Sequence, residues 1–179
     1  MTDLHDHMAL VKSTLGNLAG ELLIENGAVL AYVEPASIRD ALERLQEGSD
    51  TLMDVMSFMT AVDYQPREPR FEVVYELFST ATHQRVRVKC RLEDTGREDV
   101  LPEIDTVSDI FLTANWHERE CFDLMGIHFR GHPDLRRILL PEQWDGHPLR
   151  KEYPYDGKRA WKPGTTVVTS ARMEGDLGL

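Results

Sequence analysis

The stretch from Trp116 to Leu135 (WHERECFDLMGIHFRGHPDL) concentrates the side chains most able to do chemistry. Within twenty positions it carries three histidines, one cysteine and four acidic residues. Imidazole, thiolate and carboxylate groups are the usual ligands of zinc, and histidine and carboxylate groups are the usual acid–base catalysts. The composition of this stretch therefore suggests either a metal site or an acid–base site. The candidate metal ligands are His117, Cys121, His128 and His132.

The spacing of these four residues argues against a zinc site. His117 and Cys121 stand four residues apart, which suits two ligands on one helical turn, but the paired spacings typical of structural zinc sites are missing. The chain has only two cysteines, Cys90 and Cys121, so neither a disulfide framework nor a four-cysteine cluster is expected. We therefore expect no stoichiometric zinc and no redox cofactor on this chain. A free-standing metalloenzyme is a minor alternative.

A charge cluster is the better interpretation of this stretch. The sequence contains no nucleophile elbow and no glycine-rich phosphate loop, which weakens the case for catalysis. On a helix, an indole, a guanidinium and two carboxylates would share one face, and Arg119 would pair with Asp123. Such partly buried clusters fix geometry more than they add stability. The four residues of the predicted cluster are Trp116, Arg119, Glu120 and Asp123.

The charge balance excludes several classes of partner. The formal net charge of -11 makes nucleic acid and anionic lipid poor partners. Residues 1–113 carry the whole excess, with 21 acidic against 10 basic residues, while residues 114–179 carry 10 of each. No apolar run approaches the ~20 residues of a membrane span, and the acidic N-terminus is unlike a signal peptide. We expect the chain to stay in the cytoplasm.

The elements that must position this stretch begin with an amphipathic helix over residues 4–20, where apolar residues recur every three or four positions. A short apolar run at 27–35 predicts a strand. Ser37 can cap a second helix over 38–46. Residues 51–64 suit a helix or a strand, and their valine, phenylalanine and threonine content favours a strand.

The clearest local signal is a β-hairpin. Residues 71–79 and 84–92 each alternate side chains with a period of two, and the intervening TATHQ is short enough for a turn. The outer face would place two glutamates near a row of four cations, as cross-strand pairs. Cys90 falls on the inward face and is expected to be a small core residue. The facing charges are Glu72 and Glu76 against Arg85, Arg87, Lys89 and Arg91.

The remaining segments predict a helix and a tail. Residues 105–127 are predicted to be helical, in two pieces broken near Asn115, and residues 128–179 are rich in proline and glycine with little periodicity. A segment of that length without its own core lies on a partner or is disordered. The sequence thus predicts an α+β fold, with N-terminal helices packed on a mainly antiparallel sheet, then a helical signature segment and an extended C-terminal tail. Residues 1–127 would form the core domain and residues 128–179 the extended, loop-rich segment.

Residues 115–154 (NWHERECFDLMGIHFRGHPDLRRILLPEQWDGHPLRKEYP) closely resemble the signature of the C subunit of the proton-pumping NADH–quinone oxidoreductase, respiratory complex I. The family pattern reads W-x-E-R-E-x-x-D-x-x-G-I, then H-P-x-L-x-R-I-L, then G-H-P-L-R-K-x-Y. The resemblance covers roughly residues 25–155, and Cys121 and Met125 depart from the residue types usual in the family while remaining apolar. The matching residues taken as a structural and interface signature are Trp116, Glu118, Arg119, Glu120, Asp123, Gly126, His132, Pro133, Arg137, His147, Pro148, Arg150 and Lys151.

The resemblance implies a scaffold role. In that family the extended C-terminal segment wraps the neighbouring D subunit, with the B and I subunits nearby. The family's chain carries no flavin, iron–sulfur cluster or quinone-reducing residue. FMN and iron–sulfur clusters in partner subunits pass electrons from NADH to quinone, coupled to proton translocation. The chain would lie on the cytoplasmic side of the cell membrane, as a peripheral part of the complex that meets the membrane only through its partners.

Two expectations follow for parts of the chain. If Arg119 and Glu120 form a buried pair, they should matter for assembly of the complex and not for proton transfer. The charges, proline and glycine of residues from about 155 to 179, without a periodic apolar face, predict a segment that is mobile in the isolated chain and ordered only against partner subunits.

A related membrane complex is the main alternative. The equivalent subunit of a membrane-bound nickel–iron hydrogenase or of a formate hydrogenlyase would carry a homologous domain. Sequence alone leaves both open because the chemistry lies in the partner subunits. The subunits that co-purify, and whether nickel or FMN accompanies them, separate the two.

Overall fold

The computed structural model describes residues 3–49, 51–97 and 100–154 and has an α+β fold, as predicted. The predicted mobile tail over 155–179 lies outside the described residues. No helix in the described ranges is long and apolar enough to cross a membrane. The helices are Leu4–Leu15 (α1), Ile38–Glu47 (α2) and Ala114–Met125 (α3). The strands are Ala19–Glu25 (β1), Ala28–Val33 (β2), Val55–Asp63 (β3), Phe71–Phe78 (β4), Arg85–Leu92 (β5), Glu103–Asp105 (β6) and His128–Arg130 (β7).

Five strands form one sheet in the order β1-β2-β5-β4-β3. All neighbours run antiparallel except β2 and β5, whose parallel pairing is possible because α2, β3 and β4 supply the crossover between them. The predicted hairpin is confirmed, with Phe71 opposite Leu92 and Phe78 opposite Arg85. Strands β6 and β7 form a separate parallel pair. From residue 131 to 154 the chain runs in turns and bends.

One face of the five-stranded sheet carries the core. Alternate residues of β4 and β5 point toward this face, and side chains from all three helices join the same cluster, so the helices cover it together. Cys90 is buried there, as predicted, and burial raises the pKa of its thiol. The largest buried members of the cluster include Leu15, Leu42, Leu45, Phe71, Tyr75, Leu77 and Phe129.

The other face of the sheet carries the predicted cross-strand ion pairs. Arg87 Nε lies 2.8 Å from a Glu76 carboxylate oxygen, and Lys89 Nζ lies 2.9 Å from Glu72. Both glutamates are buried, and the long stems of the paired cations help to cover them. The basic row of β5 is therefore used in pairing, as the alternation indicated.

Three details in the N-terminal part of the chain differ from prediction. The helix predicted over 4–20 ends at Leu15, because Gly16 adopts a left-handed φ of 58°. Residues 16–18 make one 3-10 turn, and the edge strand β1 follows. Sequence reasoning missed β1 because an edge strand buries neither face well, so its period of two is faint. Ser37 precedes α2, but its side chain caps no N–H group among the described residues.

The helix predicted over 105–127 is correct only from Ala114 onward. Its first part is β6 and a series of turns, in which the Val107 carbonyl accepts the N–H groups of Ile110 (3.1 Å) and Phe111 (2.9 Å). The buried residues Val107, Phe111 and Ala114 recur at helical spacing. Consecutive tight turns also bring residues three and four positions apart onto one side. The apolar pattern of residues 107–114 therefore looked like that of a helix.

Candidate functional site

The segment after β7 is fastened to α3 through Asp123. The Asp123 carboxylate is fully buried and accepts hydrogen bonds from Arg137 Nη1 (2.7 Å) and from three consecutive backbone N–H groups. Burial alone would raise the pKa of Asp123, but these donors outweigh burial and hold the pKa below its ordinary value. Asp123 therefore stays ionised and anchors the segment. The N–H donors belong to Ile138 (3.0 Å), Leu139 (2.8 Å) and Leu140 (2.9 Å).

Arg119 completes this anchor from the preceding turn of α3. Its Nε and Nη2 donate to the carbonyl oxygens of Arg136 and Arg137, at 3.1 and 3.2 Å. The predicted ion pair of Arg119 with Asp123 is therefore wrong, because each residue is bonded to the segment after β7. The predicted buried pair of Arg119 with Glu120 is also wrong, since Glu120 is exposed and forms no ion pair within the described part of the chain.

The C-terminal end of α3 is closed by further signature residues. Gly126 ends the helix in the left-handed region, at φ 67° and ψ 46°. Arg150 donates to the carbonyl oxygens of Met125 (2.8 Å) and Gly126 (2.9 Å). Burial lowers the pKa of His147, so a neutral imidazole donates from Nδ1 to the Asp123 carbonyl at 2.9 Å. These bonds satisfy carbonyl groups that the end of a helix leaves without partners.

Replacing Gly126 by alanine is expected to lower the free energy of unfolding by about 1–3 kcal/mol. The new Cβ would stand 2.4 Å from His147 Cδ2 and 2.8 Å from Arg150 Nη2, in a backbone conformation that disfavours a side chain. Gly27→Ala is the matched control, because Gly27 has φ 77° and no described heavy atom lies within 4 Å of an added Cβ. Urea denaturation of both variants gives the two losses. Equal losses would show that the contact with His147 and Arg150 is unimportant.

Arg70 fastens the end of the described chain to the sheet. Its buried guanidinium donates to both carboxylate oxygens of Asp63, at 3.0 and 2.8 Å. It also donates to Asp94 (2.6 Å) and to Glu152. The Lys151 N–H adds a 2.9 Å bond to Asp63. Burial would raise the pKa of Asp63, but Arg70 and the backbone donors hold it at about 2.

Sequence reasoning assigned no role to Arg70 or Asp63. The two residues stand seven apart in sequence, but the Lys151 donor lies 88 residues from Asp63 and the Glu152 acceptor 82 residues from Arg70. No local spacing marks contacts over such distances. The structure thus adds a second anchor, which involves Lys151 of the predicted signature.

Glu118 is the buried carboxyl of the Glu-Arg-Glu motif. Its Oε1 accepts the Val107 N–H at 2.7 Å, and its Oε2 is bonded to the Thr106 hydroxyl. Burial raises the pKa of Glu118 to about 7, although the bonds from Thr106 and Val107 favour the ionised form. Sequence reasoning named Glu118 within the signature but placed Glu120 in the charge cluster. The structure assigns the interior position to Glu118.

His132 and Pro133 shape the turn that follows β7. His132 Nε2 lies 3.2 Å from the Asn115 carbonyl oxygen, and its Nδ1 accepts the Asp134 N–H at 3.0 Å. The ring therefore joins the start of α3 to the turn beside it. Further along the chain, the Leu149 N–H next to Pro148 donates to the Leu124 carbonyl at 3.0 Å. Both His-Pro dipeptides thus lie against α3.

The four candidate metal ligands do not form a site. His128 Nδ1 lies 3.7 Å from a carboxylate oxygen of Glu103, on the β6–β7 pair, while His132 bonds to the start of α3. Cys121 is in the core, where burial raises the pKa of its thiol to about 12. Among the described residues, no three His, Cys, Asp or Glu side chains are grouped so as to hold a metal ion.

Several large apolar side chains in and beside the signature region are exposed. The most exposed large apolar side chains of the described ranges all lie between residues 112 and 149. Such a concentration beside rigid anchors is typical of an interaction surface. The Trp116 ring is held in place by the Arg119 guanidinium, 5.3 Å from its centroid. We call these residues the exposed apolar set: Leu112 (83%), Trp116 (61%), Leu139 (62%) and Leu149 (58%).

The chain is similar in sequence to proteins of a known family. A profile of the family described as respiratory-chain NADH dehydrogenase, 30 Kd subunit, matches residues 31–159. The NADH-quinone oxidoreductase C 2 subunit of Rhizobium meliloti (strain 1021) is 39% identical over 151 residues, which cover 84% of this chain and 80% of the relative.

Two solved structures have a fold similar to that of this chain. The trypsin-resistant fragment (1–134) of Nqo5 is 26% identical with a TM-score of 0.59, over 71% of this chain and 97% of the fragment. A chain of the membrane-bound sulfane sulfur reductase, an archaeal respiratory membrane complex, is 28% identical with a TM-score of 0.61. This second match covers 84% of the present chain and 83% of the other.

Proposed function

Since the chain belongs to the family of the 30-kDa subunit of respiratory-chain NADH dehydrogenase, we propose that it is a non-redox subunit of the hydrophilic arm of an NADH–quinone oxidoreductase. The complex would pass electrons from NADH through FMN and iron–sulfur clusters in other subunits to quinone, coupled to proton translocation. This chain would support assembly next to the D subunit, with the B and I subunits nearby. It would do so as a peripheral part on the cytoplasmic side of the membrane.

The observation that carries the scaffold role is how the signature residues are used. Arg119, Asp123, Arg137, His147 and Arg150 bond to one another or to backbone groups around α3. Their hydrogen bonds stabilise the fold of this part of the chain. The outward-facing groups include the exposed apolar set, which suits contact with another protein. We therefore propose that the chain itself is not catalytic and holds no flavin, cluster or metal.

A related membrane complex is the second candidate, supported by the similarity to the archaeal sulfane sulfur reductase complex. In this alternative the chain is the equivalent subunit of a membrane-bound nickel–iron hydrogenase or a formate hydrogenlyase. The relative from Rhizobium meliloti favours the NADH–quinone oxidoreductase. Purification of the native complex decides between them, since FMN and NADH oxidation are expected for the first and nickel for the second.

Trp116→Ala is expected to reduce the amount of assembled complex and leave the isolated chain almost as stable as before. The exposed indole contributes about 0.5–1 kcal/mol through its contact with Arg119, so folding should survive its loss. Exposed aromatic anchors often supply 2 kcal/mol or more, in order of magnitude, to binding. Native gels give the amount of complex, and NADH–quinone turnover per assembled complex should stay near normal.

Phe58→Ala is the matched control for this test. Phe58 is an aromatic of 39% exposure on β3, outside the signature region, and its loss should leave assembly unchanged. Normal assembly of the Trp116 variant with collapsed turnover would contradict the scaffold role and favour a catalytic one.

A further inference from the structure

Glu118 lies in the interior without a cationic partner. Its side chain is 0% exposed, and no Lys or Arg of the described ranges forms an ion pair with it. His132 Nε2 stands 3.9 Å from its Oε2. The two ring nitrogens of His132 are engaged with backbone groups, because Nδ1 accepts the Asp134 N–H and Nε2 faces the Asn115 carbonyl oxygen. A buried carboxylate in such surroundings is costly, which favours the protonated form.

The other groups around Glu118 supply little net positive charge. Arg39 on α2 favours an ionised carboxylate, but both of its Nη atoms are bonded to Asp109, at 2.8 and 2.7 Å, and the charge of Asp109 has the opposite effect. Tyr75 on β4 is buried, and its hydroxyl has no hydrogen-bond partner among the described residues. The titratable and charged groups around Glu118 and the adjoining cavity are Arg39 (α2), Tyr75 (β4), Asp105 (β6), Asp109 (the turn before α3), Arg119 and Cys121 (α3), Arg130 (β7) and His132 (after β7).

Two hydroxyl groups connect Glu118 to solvent. Thr106 Oγ1 is bonded to Glu118 Oε2 and lies 2.9 Å from Ser108 Oγ. Thr106 and Ser108 in turn line an open cavity of about 470 Å³, together with Arg39 and Asp109. The pair therefore places two hydrogen-bonded hydroxyl groups between the interior carboxyl and the cavity.

The same contacts serve Glu118 with and without a proton. When the carboxyl is ionised, the Thr106 hydroxyl donates to Oε2 and the Ser108 hydroxyl donates to Thr106. When it is protonated, Oε2–H donates to Thr106, whose hydroxyl turns to donate to Ser108. In both states Oε1 accepts the Val107 N–H at 2.7 Å. The two states differ by the rotation of two hydroxyl groups, without displacement of heavier atoms.

We propose that Glu118 is a proton-binding site and that it exchanges its proton with the cavity through Thr106 and Ser108. A proton from hydronium passes to the Ser108 hydroxyl, the Ser108 proton passes to Thr106, and the Thr106 proton passes to the carboxylate. Water remains outside and a neutral carboxylic acid inside, so atoms and charge balance. The site rests on the geometry of this chain and is independent of the proposed place of the chain in a larger complex.

The direction of the pKa of Glu118 agrees with this site. Its pKa of about 7, against an ordinary 4.5, means that both forms are populated near neutral pH. The folded chain binds the Glu118 proton more tightly than the unfolded chain. The contribution of this proton to the free energy of unfolding is therefore fully present below about pH 4.5. It is lost as the pH rises through about 7. Wild-type stability should therefore fall relative to Glu118→Gln over this window.

Carbon-13 NMR of the full chain tests the site directly. The side-chain carboxyl carbon of Glu118, assigned in the wild-type protein, is expected to titrate with a midpoint near 7. Glu118→Gln should remove this titration, and Glu120→Gln, an exposed acid on the same helix, should leave it in place. The wild-type signal decides the matter even where a variant folds poorly. A Glu118 carboxyl that stays ionised down to the ordinary range of glutamates overturns the proposal.

Two further variants test the route. Thr106→Val removes a donor to the ionised form, so the midpoint should move upward. Ser108→Ala does not touch the carboxyl, so the midpoint should stay near that of the wild type while proton exchange, measured from line broadening, slows severalfold. Unchanged exchange in Ser108→Ala would overturn the proposed route.

Discussion

Asp123→Ala is expected to lower the free energy of unfolding by roughly 3–5 kcal/mol, the penalty for breaking a buried charged pair. The change leaves the Arg137 guanidinium, 14% exposed, without its carboxylate. It also leaves the consecutive N–H groups of residues 138–140 without an acceptor in the interior. The segment after β7 should then separate from α3 before the sheet unfolds.

Denaturation in urea and limited proteolysis test this expectation together. Protease cleavage within residues 128–154 should rise sharply in the variant, while the sheet stays protected. Asp134→Ala is the control, because Asp134 is 55% exposed and its pair with Arg136 is a surface contact that contributes about 0–1 kcal/mol. A similar loss in both variants would mean that the buried acceptor has no special role.

Arg70→Leu is expected to lower the free energy of unfolding by a similar amount, roughly 3–5 kcal/mol, for a different reason. Arg70 is the cation shared by Asp63, Asp94 and Glu152. Without it, the carboxylates repel one another around a buried position, and the Lys151 N–H is the remaining donor from the C-terminal segment to Asp63. Arg39→Leu is the control, since Arg39 pairs with an Asp109 that is 64% exposed, and about 0–1 kcal/mol is expected there.

The pH dependence separates this cluster from simple packing. The pKa of Asp63, about 2 against an ordinary 3.8, means that its contribution to stability is present above 3.8. That contribution is lost as the pH falls through about 2. In Arg70→Leu the same acids take up protons more readily, which relieves their repulsion. The difference in the free energy of unfolding between wild type and Arg70→Leu should therefore become smaller below pH 4. A difference that does not change with pH would contradict the electrostatic explanation.

Sequence reasoning succeeded where the signal is local. The hairpin of β4 and β5 was predicted with its facing charges because a period of two fixes which side chains meet across neighbouring strands. The predicted strand at 51–64 and helix at 38–46 also formed, as β3 and α2. These elements depend on residues a few positions apart, so the local sequence is enough to predict them.

The candidate site was harder to predict because its bonds are not local. Asp123 has an arginine four residues before it and another fourteen residues after it, and helical spacing points to the nearer one. The structure uses Arg137, since the segment after β7 also brings three N–H groups. Only tertiary packing determines which of the two arginines pairs with Asp123.

The interior position of Glu118 did have a readable signal. Ala114, Cys121 and Met125 are buried at positions that mark one stripe along α3, and Glu118 lies on that stripe. Glu120 is two residues further on and faces outward. The prediction instead grouped the charges on the face that begins at Trp116, which joins Glu120 to Arg119 and Asp123. The apolar stripe, and not the grouping of charges, marks the buried carboxylate.

The contact between Lys151 and Asp63 also sets an order of events during synthesis. The five-stranded sheet is complete once Leu92 has been made, but the Lys151 donor comes 88 residues after Asp63. At ~5–20 residues per second, the ribosome needs roughly 4–18 s to supply it. During that interval Arg70 has Asp63 and Asp94 available as partners, but Glu152 and the Lys151 N–H are missing. A chain that stops before residue 150 could complete the anchor at Asp123 but not the anchor at Arg70, so attachment of the C-terminal segment to the sheet comes last.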